Sequence, residues 1–200
     1  MTVGREGNHI LAFALPIMGG LVLQQLYNTV DSVVVGQKLG HVALGAVGTC
    51  AALTMFAVSF AVGLTNGAGV IFAQLFGAKR MEDLRTNLST AYCLLTVLSL
   101  VISVLGFAFA RPLLKALAAP EEILGMAAGY FRIYCIGLVF QFVYNVSAGA
   151  LRGVGDSRAT LIFLCISSVV NIALDLVFVV YFGMGVEGTA IATVIAQGQN

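Results

Sequence analysis

Five stretches of this chain run apolar for twenty residues or more, and a sixth opens close to its end. They cover residues 10–35, 42–76, 88–110, 123–148 and 159–182, followed by 188–200. A helix rising about 1.5 Å per residue needs roughly 20 apolar residues to cross the ~30 Å hydrocarbon layer of a bilayer. The first five runs meet that length. The sixth does not, so the chain is expected to stop inside its sixth helix. Between the runs lie Gly36–His41, Gly77–Arg85, Arg111–Glu122, Arg152–Arg158 and Gly183–Gly188, all rich in glycine, proline or charge, as turns are.

Charge supports a lipid-facing surface. Charged residues make up 10% of the chain, against about 25% in soluble domains. So few charges cannot cover a water-exposed globule of 200 residues. The expected fold class is therefore an all-α integral membrane protein. A net charge of +1 gives no reason to expect a nucleic-acid partner. Cys50, Cys93, Cys135 and Cys165 stand apart within apolar runs, without Cys-x-x-Cys spacing, and read as small hydrophobes. Residues 1–9 precede the first run, which is too long for a signal-peptide core. Basic residues place them in the cytoplasm: Arg5, Lys79, Arg80, Arg85, Arg152 and Arg158 then lie inside, against Lys38, Arg111 and Lys115 outside. Glycine pairs at Gly-x-x-x-Gly spacing (Gly63/Gly67, Gly125/Gly129, Gly149/Gly153) read as helix-packing positions.

The informative side chains are those a bilayer should exclude, because an ionisable group at its centre costs roughly 2.5–3.5 kcal/mol on insertion scales. Asp31 closes a polar stripe with Gln24 and Asn28, spaced i, i+4, i+7 on one helical face, which is expected to turn toward the protein interior. Asp175 lies within the fifth run, one turn beyond Asn171. Neither aspartate has a basic residue within a turn, so each must hold a proton or recruit a cation. Thr189 and Thr193 of the sixth run add oxygens of the kind that suits H⁺ or Na⁺. Tyr130, Gln141, Tyr144 and Asn145 put hydrogen-bonding groups on the fourth run, which also carries Arg132. Pro16 removes one backbone bond inside the first helix and marks a kink, or a hinge.

These residues also carry a family resemblance. Leu15-Pro16, the stretch from Gln25 to Gly36, Ala73-Gln-Leu-Phe-Gly-Ala78, Leu151-Arg-Gly-Val-Gly-Asp156, Asn171-Ile-Ala-Leu-Asp175 and the stretch from Gly188 to Gln197 resemble, in order and spacing, the N-terminal half of MATE (multidrug and toxic compound extrusion) transporters. The resemblance implies a twelve-helix protein of two six-helix lobes with a cavity between them, of which this sequence supplies the first and lacks the second. It implies export of organic, often cationic, compounds in exchange for H⁺ or Na⁺ by alternating access at the plasma membrane, with no cofactor, no enzymatic activity and no metal beyond a Na⁺ at Asp31 and Asp175. The coupling site would comprise Asp31, Asn171, Asp175, Thr193 and Tyr130. Pro16 would be the hinge, and Gln24, Asn28 and Gln141 would line the cavity.

Two other readings stay open on the sequence. A lipid-linked oligosaccharide flippase of the same superfamily would want a more basic cavity. An intramembrane aspartyl protease is suggested by Gly153-Val-Gly-Asp156, although Asp156 lies in a turn between Arg152 and Arg158.

Overall fold

A computed structural model describes residues 6–198, so Arg5 and residues 199–200 fall outside it. The described residues are helical apart from short turns, with no strand among them. The elements are α1 (Glu6–Gly77), α2 (Met81–Ala108), α3 (Ala110–Ala116), α4 (Glu121–Gly153), α5 (Ser157–Asp175), a six-residue π-helical turn (Leu176–Tyr181) and α6 (Gly185–Gly198). Four helical stretches are long and apolar enough to cross a membrane. α1 is long enough to do so twice.

α1 is two rods. Gly40, at φ 83° and ψ −177°, breaks it into segments 6–39 and 41–77. That conformation is open almost only to glycine. The turn expected over Gly36–His41 is thus helix on both sides of a single residue, because one glycine suffices to redirect the chain. The proline-bearing stretch after Arg111 is likewise not all loop. It includes α3, where Pro112 sits in the first turn and forfeits no intrahelical bond.

Close contacts give the directions of the helices. Thr65 and Gly69 of the second rod meet Gly149 of α4, and Cys50 Sγ donates to Ala127 O at 3.2 Å, so these two run parallel. Tyr92 meets Ser147 at 2.7 Å, and Ser103 donates to the Cys135 carbonyl, so α2 runs against α4. Gly20 packs on Leu164 and, further along, Asp31 lies close to Asp175, so the first rod runs with α5. Ser167 donates to Ala196 O at 2.8 Å and Asn171, one turn on, to Thr193 Oγ1, so α6 returns against α5. The turns at 78–80 and 154–156 therefore share one end of the bundle, with Lys79, Arg80 and Arg152 nearby. The opposite end carries Gly40, the α3–α4 turn and the glycines preceding α6.

α4 is the hub, with buried residues on every side, from Leu124 through Tyr134 and Leu138 to Gly149. Small residues make this possible, since a backbone without side chains lets a neighbour approach closely. A Cβ on Gly137 would sit 2.5 Å from Val194 Cγ2, and one on Gly153 would sit 3.1 Å from Gly69 O. Of the six glycines at Gly-x-x-x-Gly spacing, Gly129, Gly149 and Gly153 make such approaches, while Gly63, Gly67 and Gly125 have nothing within 4 Å. Many large apolar side chains face outward instead, among them Met55, Phe56, Leu94, Val104 and Val169. An outward apolar face is what a lipid solvent requires. Cys93 also faces outward, while Cys50 and Cys135 are buried.

Candidate functional site

Asp175 is the last residue of α5, immediately ahead of the π-helical turn, and it is fully buried. Both its carboxyl oxygens lack a hydrogen-bond partner among the described residues. It lies close to Asp31, which the parallel first rod of α1 brings to the same level, so that each carboxyl group acts electrostatically on the other. Asp31 Oδ1 is buried and unpartnered too. Two carboxylates are acceptors only, so neither can satisfy the other until a proton or cation joins them.

The remaining oxygens come from three helices. Asn171, one turn before Asp175, donates through Nδ2 to Thr193 Oγ1 of α6 at 3.4 Å, a long bond by ordinary standards. Asn171 Oδ1 stays buried without a donor. Thr193 in turn donates to Thr189 O at 2.9 Å, and Thr189 to Val186 O at 2.8 Å. Those bonds occupy the hydroxyl protons and leave oxygen lone pairs free. Tyr130 of α4 lies within electrostatic reach of both Asp31 and Asp175 and stacks on Tyr134, with ring centroids 6.5 Å apart. Asp31, Asp175, Asn171, Thr193 and Tyr130 thus form an oxygen-bearing cluster linked by the Asn171–Thr193 bond and by electrostatic proximity. Oxygen-rich and free of fixed cations, it suits a proton or a hard monovalent ion.

The other polar residues divide. Gln24 and Gln141 line a separate cavity nearer the opposite end of the bundle, and Pro16 lies on its wall. Asn28 is exposed instead, and its carbonyl accepts the Ser32 hydroxyl at 2.9 Å. The stripe expected on one inward face thus splits, because the first rod presents only part of its circumference to α5. α1 continues as helix through Pro16, and its one non-helical residue is Gly40. Arg132 is held by α2: its Nε donates to Phe107 O at 3.4 Å, and its guanidinium lies 5.5 Å from the Phe107 ring. Asp156 is exposed and caps α5 by accepting the Ala159 N–H at 3.0 Å.

A family model described as MatE matches residues 16–177. The chain belongs to the MatE family. Among curated proteins, the probable multidrug resistance protein YpnP of Bacillus subtilis (strain 168) is 34% identical, across 98% of this chain and 44% of its own length. Crystal structures of MATE in the bent and in the straight conformation each align with a TM-score of 0.90, at 29% and 28% identity, over 97% of this chain and 43% of theirs. The chain thus spans less than half the length of the relatives it matches.

MatE proteins are membrane transporters, not enzymes, and the protease reading of Gly153-Val-Gly-Asp156 is set aside. Its aspartate is used as a helix cap, far along α5 from Asp175. Two features of this MatE chain escaped sequence reasoning. The π-helical turn directly after Asp175 leaves no mark in the apolar period, since wider i→i+5 bonding is set by tertiary fit. The polar lining of the second cavity includes Ser157 and Thr160 at the start of α5, whose i, i+3 spacing next to Arg152 was the available signal.

Proposed function

We propose that the complete protein is an ion-coupled antiporter that exports organic compounds in exchange for H⁺ or Na⁺ by alternating access. The observation that carries this reading is Asp175, fully buried, beside a second carboxyl and without any hydrogen-bond donor from the protein. A buried charge of this kind is retained in membrane segments chiefly where it works, as in ion pathways and proton relays.

In the proposed cycle, binding of H⁺ or Na⁺ between Asp31 and Asp175 removes their mutual repulsion and lets the first rod of α1 close on α5. Release of the ion separates the carboxyls and loosens that packing. The ion thereby favours one packing of α1 over the other by its differential affinity for the two states. Asn171, Thr193 and Tyr130 supply the further oxygens. Pro16, with one backbone bond already missing, is where bending would concentrate. A second lobe, facing α1, completes the substrate cavity, and Gln24, Asn28 and Gln141 contribute from this side. The end bearing Lys79, Arg80, Arg85, Arg152 and Arg158 faces the cytoplasm across the plasma membrane, by the distribution of positive charge.

Support comes from the buried pair and from the names of relatives such as the B. subtilis multidrug resistance protein. The flippase reading gains nothing from Arg132, whose guanidinium is engaged by Phe107. The test is dye efflux from vesicles by the full-length protein carrying Asp175→Asn. Loss of dependence on the ion gradient is expected. Efflux that keeps full gradient dependence rejects the pair as the coupling site.

A further inference from the structure

The half of the bundle remote from the carboxyl pair holds a cavity of about 400 Å³, bounded by both rods of α1, the last turns of α4 and the start of α5. That volume falls within the ~300–1,000 Å³ of small-molecule sites. Ile17, Leu21, Val58, Val62, Leu161 and Leu164 form apolar walls, and Arg152, Ser157 and Thr160 lie toward the 154–156 turn. From Thr160 to Asp175 the helix axis covers roughly 22 Å at ~1.5 Å per residue. The cavity is therefore distinct from the coupling pocket.

Its electrostatics are one-sided. Arg152 is partly buried, lies near the Tyr144 phenol and pairs with no carboxylate among the described side chains. No Asp or Glu lines the cavity, and the nearest in sequence, Asp156, caps the Ala159 N–H. Around this cation stand the polar side chains of Ser157, Thr160 and Gln141. Ser157 and Gln141 are only 4% and 7% exposed. Thr160 Oγ1 is buried and unpartnered. Buried polar groups are nearly always satisfied, so an orphaned Thr160 hydroxyl in a cavity beside an uncompensated guanidinium points to a ligand that completes both. The free N–H groups at the start of the nineteen-residue α5 add partial positive charge at the same end.

We propose that this cavity binds an amphiphile through an oxyanion head group. A phosphate or carboxylate takes a forked contact from Arg152 and hydrogen bonds from Ser157, Thr160 and the Gln141 amide, while an apolar tail lies along Leu161 and Leu164. A cation is disfavoured there, because nothing acidic offsets Arg152. This assigns a substrate class to the transporter proposed above and so rests on that reading. The head group comes either from a bilayer phospholipid or from a water-soluble organic phosphate, which share this chemistry.

The test is equilibrium binding of radiolabelled dodecyl phosphate to the full-length protein in nanodiscs of a phosphate-free glycolipid, with dodecyltrimethylammonium as the cationic counterpart. Saturable binding of dodecyl phosphate is expected, weakened about tenfold or more by Arg152→Gln and less by Arg152→Lys. Equal affinity in the parent and Arg152→Gln proteins overturns the proposal. So does displacement of the phosphate by the ammonium compound at equal concentration. If Arg152→Gln does not fold, Leu164→Trp fills the cavity and keeps the charge; it should abolish binding, and retained affinity overturns the site. Displacement of the label by phosphatidylglycerol in the disc assigns a lipid source. Displacement by phenyl phosphate assigns a soluble one, and displacement by neither counts against the proposal. No ion gradient is present, so binding persists in Asp175→Asn even where coupling is lost, and the two readings fail separately.

Discussion

Asp31 and Asp175 lie close enough for each carboxyl to act on the other, yet Asp31 Oδ1 and both oxygens of Asp175 are buried without a hydrogen-bond partner. On the proposed reading the pair binds the coupling ion as one unit, so its members should not contribute independently. Asp31→Asn and Asp175→Asn are each expected to reduce gradient-driven efflux by about tenfold or more, on the basis that a hydrogen bond to a charged group is worth ~1.5–3 kcal/mol. The double substitution should be no worse than the poorer single one, because interacting sites are not additive. Initial rates across a double-mutant cycle decide this. Multiplied losses would show two independent carboxylates.

The bond between Asn171 and Thr193 leads to a different expectation. At 3.4 Å it is too long to contribute much stability. Thr193→Val should therefore leave the thermal midpoint of the detergent-solubilised protein nearly unchanged, within the roughly 1 kcal/mol of a neutral hydrogen bond. It removes an oxygen from the proposed coupling site, however, and should raise several-fold the ion concentration needed for half-maximal efflux. Melting and ion titration on the same preparation separate the two effects. A large loss of stability with unchanged ion dependence would make Thr193 a structural residue only.

The helices and the candidate site were legible in the sequence to different degrees. Runs such as 88–110 and 123–148 identify α2 and α4, because lipid leaves no other use for twenty consecutive apolar residues. Asp31, Asn171 and Asp175 stood out for the complementary reason, being polar where polarity is costly. Direction was harder to read. The i, i+4, i+7 stripe placed Asn28 with Gln24 and Asp31, but which arc of a helix meets α5 depends on neighbours that a one-dimensional period does not encode. Arg132 illustrates the same limit, since its partner Phe107 belongs to a different helix. The turn read at Gly36–His41 does contain the break, but composition does not reveal φ, so it did not single out Gly40.

Glycine contacts rank the packing sites on α4. A Cβ on Gly153 would meet Gly69 O at 3.1 Å and Ala73 N at 3.3 Å, both backbone atoms that cannot rotate aside. Gly153→Ala is expected to destabilise the bundle by about 1–3 kcal/mol, the cost of overpacking. Gly63→Ala, with nothing within 4 Å, should be neutral or slightly stabilising, because alanine is the better helix former. Thermal melts of the two variants in the same detergent check the ranking. Equal midpoints would mean that the α1–α4 approach is looser than these distances.

Gly40 should be sensitive for another reason. No atom lies within 4 Å of the Cβ it would carry, so a side chain there meets no crowding. The obstacle is the backbone, at φ 83° and ψ −177°, where any L-residue is strained by about 1–3 kcal/mol. Gly40→Ala and Gly40→Ser should lower the thermal midpoint by similar amounts despite their different side chains, since the strain arises at Cβ, which both share. Relief of that strain by continuing α1 as a straight helix would carry the second rod away from α4 and expose Cys50, which is buried against Ala127 in the broken form. Faster labelling of Cys50 by a membrane-permeant maleimide, in a variant lacking the other cysteines, would report that change. An unchanged midpoint together with unchanged labelling would mean that the break between the rods does not depend on glycine.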